Sequence, residues 1–385
     1  MSISECHLCG GKLLLISNFE KFLQVTADAR PWRRGGQLAV CNRCGTVQKP
    51  VSESYFSEVA QIYSGYDLRN QGVEQPIFDQ NTGTSTPRFQ RIIDWLRLHY
   101  ELPDSGKLLD IGCGNGAFLR AFGAAYSDWQ MTGVELDNRN QTAVESIPGV
   151  ESLHVGSIDT LGEHFDLIVL IHVLEHIPNP IQFLSQIGKH LNSGGVMFIG
   201  VPDLETSPFD ILIADHCTHF TLDILEKVVV SAEFEISAMV SDFLPKELSL
   251  IAHFPITDGR KNRLPADLKV IERLLGNGRT IAMAHIAFLS DLIHLGQSAN
   301  EPLGVFGTAI SGTWMAQSLG EKVSFFVDED LNRVGQTHLS LPIFDPEHTP
   351  TGSEILVPLR VDIAISIAKR HKQLVNRLIL PMLLS

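Results

Sequence analysis

Three glycines at alternate positions, Gly112, Gly114 and Gly116, follow the apolar run that ends at Asp110 and Ile111 in LLDIGCGNGAFLRAF. Glycine takes positive φ without steric cost, so such a run turns a strand into a helix and lets backbone amides approach a ligand. The flanking pattern repeats that unit. A helix is expected over TPRFQRIIDWLRLHY, with Pro87 in its first turn and Phe89, Ile92, Ile93 and Leu96 on one face. Then come a strand at Lys107 to Ile111, a helix from Gly116 to about Ala125, the strand MTGVEL, a helix near Asn138 to Ser146 and the strand SLHVG. FDLIVLI reads as a buried parallel strand, NPIQFLSQIGKHL as a helix capped by Asn179 with Pro180 at its first position, and GVMFIGV as another strand. Alternating strands and helices predict an α/β chain with a parallel doubly wound sheet, whose ligands lie at the carboxyl ends of the strands. GxGxG alone also suits a dinucleotide. Asp110 ends the first strand, and Glu135 ends the second, where its carboxylate can accept both hydroxyls of a ribose.

The 385 residues, 44% hydrophobic and 19% charged, suffice for two or three cores. With a formal net charge of −14 and no basic block, the chain is a poor partner for nucleic acid; a small, neutral or nucleotide-linked molecule fits better. Neither a signal peptide nor a membrane span is expected, because MSISECHLCG lacks a charged region followed by an apolar core and no run of about 18 apolar residues occurs. The expected location is the cytoplasm, where paired cysteines suggest metal rather than disulfides.

Cys6-His7-Leu8-Cys9-Gly10 and Cys41-Asn42-Arg43-Cys44-Gly45 are two CxxCG units. In each, two thiolates turn toward one ion while the following glycine takes positive φ, so Cys6, Cys9, Cys41 and Cys44 are expected to hold a structural zinc ion with no open position for chemistry. His7 is expected to point outward. A redox CxxC would need a thioredoxin-like strand before it and a helix after it, and MSISE supplies neither. Residues 1 to roughly 75 are too poor in apolar clusters to fold well unaided, so the ion should hold this region together.

LLDIGCGNG, GVELD, FDLIVLIHVLEHIPNP and LNSGGVMFIGVP, in that order, resemble the successive motifs of the class I S-adenosylmethionine-dependent methyltransferases. The resemblance implies a Rossmann-like core in which Asp110, Gly112, Gly114 and Gly116 line the cofactor, Glu135 binds its ribose, Ser157 and Ile158 flank adenine, and His172 lies in contact. Cys113 is expected as a small loop residue rather than a nucleophile, and His176 is left without a role.

Beyond IGVPD lies FDILIADHCTHFTLDILEKVV, read as a loop above the strand ends followed by a helix capped by Thr221. The loop gathers Asp215, His216 and His219. By residue type these are solvated polars or a metal pair. The whole chain resembles the sugar C-methyltransferases with an N-terminal zinc-binding domain, which methylate a ring carbon beside the keto group of a nucleotide-linked deoxysugar. That resemblance implies domains at 1–80, 81–256 and 257–385, with His216 as base, Asp215 orienting it and His219 completing the site. An imidazole, with its ordinary pKa of about 6.5, is suited to take a proton from a carbon next to a carbonyl. The family usually has Glu and an aromatic residue before the histidine; here Asp215 follows Ala214.

The tail reads as the helices ADLKVIERLLGNG and IAMAHIAFLSDLIHLG, then a Rossmann-like unit with the strand LGVFG, the turn GTAISG, the helix TWMAQSL and the strand KVSFFVDED. Gly307, Gly312 and Asp328 mimic a dinucleotide fingerprint, although the spacing departs from GxGxxG. In the family this unit packs beside the substrate and carries YGAxxKG. Ser311 stands where that lysine would, so a cation facing a diphosphate is missing at this position. The expected reaction is C-methylation of a keto-deoxysugar carried on a nucleotide. Its rivals are O-methylation of a sugar or secondary metabolite, methylation of RNA, and a non-catalytic module that keeps the cofactor fold.

Overall fold

A computed structural model describes residues 5–66, 76–78, 85–255 and 268–381. The boundaries expected at 80/81 and 256/257 lie outside the described residues. Seven strands form the central sheet, in the order Val150–Val155, Gln130–Glu135, Lys107–Ile111, Phe165–Ile171, Leu191–Pro202, Glu247–His253, Glu235–Val240. The first five run parallel, and Glu247–His253 is antiparallel to both of its neighbours. Phe165–Ile171 lies inside, with Leu167, Ile168, Val169 and Leu170 fully buried, so its unbroken apolar run is what a strand covered on both faces requires. Two apolar clusters cover those faces, one around Leu170, Ile199 and Leu225, the other around Leu108, Phe122 and Phe198. The strand order reverses beside Lys107–Ile111, which places the glycine loop at the switch point.

Helices occupy Arg88–His99, Ala117–Ala125, Pro180–Gly188 and Leu222–Ser231, close to expectation. Asn179 and Thr221 do stand at the N-caps, but neither side chain bonds the first turn. In the tail the two expected helices are one, Leu268–Ser298, of 31 residues. Glycine at 278 reads as a break, yet it serves close packing: a Cβ there would lie 2.2 Å from the carbonyl oxygen of Gly45. The tail's sheet, parallel except at its edge strand Thr337–His338, is centred on Leu303–Phe306 and Val323–Val327, with the helix Ile310–Leu319 packed against it.

The front segment is bound to both other regions. Leu13–Leu15, Ala39–Cys41 and Val47–Gln48 form a sheet whose fourth strand, Thr218–His219, comes from beyond the central sheet. Phe19, Phe22 and Val25 share a core with Leu212 and Ile213 and with Trp314 and Met315 of the tail. The segment expected as a loop therefore contains a short buried strand, and its polar residues are not solvated: Asp215 and His219 are fully buried and His216 nearly so.

Candidate active site

A cavity of about 590 Å³ opens at the carboxyl ends of the central strands. All three regions line it: Ala27 and Tyr66 from the front, the glycine loop and the histidines from the middle, Ser311 and Arg360 from the tail.

At one end lies the glycine loop. Gly112, Gly114 and Gly116 have φ of 71°, 57° and 77°, so all three are left-handed as glycine permits. A Cβ at Gly114 would meet nothing within 4 Å, leaving that stretch of backbone open to a ligand. Asp110 is buried with its Oδ2 unbonded among the described residues, and burial, with the charge of Glu135, holds its pKa well above the usual range. An open glycine backbone beside a buried carboxyl fits an adenosyl donor with a cationic sulfur. Glu135 Oε1 accepts from Gly114 N at 2.6 Å and Oε2 from Leu136 N at 3.2 Å. Of the expected cofactor residues, Asp110, Gly112, Gly114 and His172 line the cavity, whereas Gly116, Glu135, Ser157 and Ile158 stand outside its wall. Ser157 instead caps a short turn by accepting from Asp159 N.

In the middle, His172, His176 and His216 meet the cavity. The expected pairing of His216 with Asp215 does not form. Asp210, six residues upstream, takes that place, its Oδ1 2.7 Å from Nδ1 of His216 and its Oδ2 2.5 Å from Nδ1 of His219. The turn Asp210–Leu212 folds the chain back, so the acid adjacent in sequence points away while a more distant one points in. Asp215 Oδ1 instead accepts from Ala27 N at 3.0 Å, and Asp215 and His219 lie behind the cavity wall. Burial opposes the charge on His216, but Asp210 outweighs it and raises the pKa; for His219 burial prevails and the pKa falls. The rings of His176 and His216 meet edge to face, with centroids 4.6 Å apart.

Farther along, His172 sits at φ 56°, its Nδ1 3.1 Å from Glu175 Oε1 and its Nε2 3.4 Å from Glu247 Oε1. Burial disfavours its charge, yet Glu247 and Glu175 raise its pKa to about 9. Arg88 grips Glu247 through both Nε and Nη2, and against the cost of burial Arg88 and His172 bring Glu247 down to about 2. Lys246, with φ 66°, and Arg360 line the same end and repel each other, which depresses the Lys246 pKa after burial has done so. Asp210, Glu247, Arg88, Lys246 and Arg360 escaped the sequence reading. Only Asp210 left a local trace, as an acid six residues before the histidine.

Remote from the cavity, the four cysteines converge as expected. Cys6 and Cys44 Sγ lie 3.6 Å apart and Cys9 and Cys41 Sγ 3.5 Å, with all four sulfurs within 4.8 Å of one another. A disulfide needs about 2.05 Å, whereas sulfurs about 2.3 Å from a central zinc ion stand roughly 3.8 Å apart. Gly10 and Gly45 have φ of 69° and 76°, and the amides of Gly11 and Arg43 point at the sulfurs of Cys9 and Cys41. The donor set fits tetrahedral zinc. His7 departs from expectation: it is buried, and its Nε2 lies 2.7 Å from Thr218 Oγ1. Glu175, His176 and His216 also bring ligating atoms within 4.8 Å, but Glu175 and His216 already pair with His172 and Asp210.

Residues 87–238 match the family described as "Methyltransferase domain". A ubiquinone biosynthesis O-methyltransferase of Dechloromonas aromatica is 26% identical over 200 residues, 46% of this chain and 80% of that protein. Its counterpart in Parvibaculum lavamentivorans is 28% identical, with 40% of this chain and 64% of that protein covered. A dTDP-4-amino-2,3,4,6-tetradeoxy-D-glucose N,N-dimethyltransferase of Saccharopolyspora spinosa is 34% identical over 105 residues, 26% of this chain and 41% of that protein. Apart from the Dechloromonas protein, these relatives are matched over less than two thirds of their length. Among solved structures, an S-adenosylmethionine-dependent methyltransferase from Clostridium acetobutylicum aligns with a TM-score of 0.37 and 14% identity, over 52% of this chain and 98% of that one.

Proposed function

We propose, from the premise that residues 87–238 are an S-adenosylmethionine-dependent methyltransferase domain, that this enzyme methylates a ring carbon beside the keto group of a nucleotide-linked deoxysugar. The observation that carries the reading is the pairing of His216 with Asp210 at the cavity wall. Asp210 holds the proton on Nδ1 of His216, so Nε2 offers its lone pair as the base. The raised pKa of His216 strengthens that base, and Asp210 stabilises the imidazolium that forms when a proton leaves the carbon next to the carbonyl. His172, protonated up to about pH 9, adds positive charge to the wall where negative charge builds on the substrate oxygen. When bound, S-adenosylmethionine supplies the methyl electrophile on its sulfonium.

Lys246 and Arg360 support an anionic handle on the substrate. Both side chains line one end of the cavity, Arg360 held there by the carboxylate of Asp362, and together they favour a ligand that carries negative charge. They provide what Ser311 does not, which favours the nucleotide diphosphate. The same reading assigns zinc to Cys6, Cys9, Cys41 and Cys44 as a structural ion, and Glu135 to the ribose.

The test is incubation with keto-sugar nucleotides in deuterated water. Exchange at the methylated carbon should occur in the native enzyme and vanish in His216→Ala; neither exchange nor methylated product across a broad set of acceptors overturns the proposal. O-methylation is the second reading, favoured by the relatives named as O-methyltransferases, and it would give product without carbon exchange.

A further inference from the structure

The cysteine knuckle and the edge of the cavity are joined by hydrogen bonds. Cys44 is followed after two residues by the strand Val47–Gln48, which pairs with Thr218–His219, Val47 opposite His219 and Gln48 opposite Thr218. His7, inside the first CxxC, reaches the same strand through Thr218. Other front residues hold the rest of the segment. Ala214 N donates to Val25 O at 2.7 Å, Ala27 N to Asp215 Oδ1 at 3.0 Å and Tyr55 Oη to the carbonyl of Asp215 at 3.1 Å. Lys49 donates through its amide to Cys217 O and through Nζ to Ile213 O. Ile213, Ala214, Asp215, Cys217, Thr218 and His219 are thus each tied to the front segment, while His216 turns to the cavity.

A two-residue strand contributes too few bonds to fix its own register. The side-chain amide of Gln48, Nδ1 of His7 and Nε2 of His219 are buried there without hydrogen-bond partners among the described residues, and such atoms destabilise the junction. The gathered cysteines flank it on both sides, Cys44 before Val47–Gln48 and Cys6 and Cys9 around His7.

We infer that the metal-bound knuckle positions the base. With the four sulfurs held on one zinc ion, Val47–Gln48 and His7 fix Thr218–His219; His219 then fixes Asp210, and Asp210 fixes His216. His7, Thr218 and His219 are positioning residues that do not line the cavity. The base role of His216 rests on the function proposed above; the coupling itself does not.

The experiment uses the full zinc-loaded chain labelled with 15N-histidine, alongside Thr218→Val, Thr218→Ser and a chelated sample. The readouts are zinc content, the imidazole nitrogen resonances of His216 and His219, affinity for S-adenosylhomocysteine, and kcat against KM. Thr218→Val should keep its zinc and its affinity, move both imidazole resonances, and lower kcat about tenfold at unchanged KM, as expected from losing one buried hydrogen bond. Thr218→Ser, which restores the hydroxyl, should recover both. Removing zinc should move the same resonances, and adding zinc alone should return them. Resonances of His216 and His219 that stay put in Thr218→Val or after chelation overturn the inference. If the native chain methylates nothing, the proposed function fails, and the resonances still decide the coupling.

Discussion

Asp210 spans two histidines, one carboxylate oxygen on His216 at the cavity and the other on His219 behind it. The arrangement raises the pKa of one imidazole while that of the other falls, because burial of His219 outweighs the carboxylate it shares.

Asp210→Asn should therefore lower kcat by about a hundredfold, within the range general-base catalysis contributes. Asp215→Asn should cost far less, because Asp215 bonds Ala27 rather than His216. Steady-state kinetics of the two variants with the same acceptor checks this; a larger loss in Asp215→Asn would restore the pairing expected from sequence.

The pH profile carries the same signature. A base works in its neutral form, so the upward shift of His216 places the acidic limb of kcat above the ordinary imidazole value of about 6.5. In Asp210→Asn that limb should move down.

The difference between Asp215 and Asp210 also marks how far sequence reaches. The glycine loop, the alternation of strands and helices and the cysteine pairs were legible because each rests on local geometry: a positive φ, an apolar run, a fixed spacing. Asp210 was missed because a single short turn reverses the chain between it and His216. Arg88 and Glu247 were beyond reach for another reason: 159 residues separate them, and neither belongs to a periodic pattern. His7 was misjudged because its partner, Thr218, lies 211 residues away.

Stability should depend on pH through His172 and Glu247. The folded pKa of His172 is raised to about 9, so its contribution is whole below about 6.5 and is lost as pH rises through 9. Glu247, lowered to about 2, contributes above about 4.5 and loses that contribution as pH falls toward 2. Both are complete between those limits. Asparagine tolerates positive φ, so His172→Asn removes the charge with little added strain; thermal melts of this variant should decline less between pH 6.5 and 9 than those of the native chain.

Glu135→Gln should weaken S-adenosylhomocysteine binding by about tenfold to a hundredfold, the worth of hydrogen bonds to a charged group. Ser157→Ala should leave it unchanged, since the Ser157 hydroxyl is engaged with Asp159, donating to its Oδ2 and accepting from its N. Calorimetric titration separates the two.

At the other end, Arg360→Gln should raise KM for a nucleotide-linked acceptor about tenfold, leave KM for the methyl donor alone, and reduce the salt sensitivity of acceptor binding. Equal effects on both KM values would count against an anion at that end.

The contact between Gly278 and the carbonyl of Gly45 limits how this chain can be recombined. The tail helix passes the knuckle with no clearance for even a methyl group, so a chimera that exchanges the front segment must preserve glycine 278 or bring its own matching helix. A cut near residue 80 would likewise strip Val47 and Gln48 from beneath His219. The three regions are interlocked parts, and none can be replaced without refitting another.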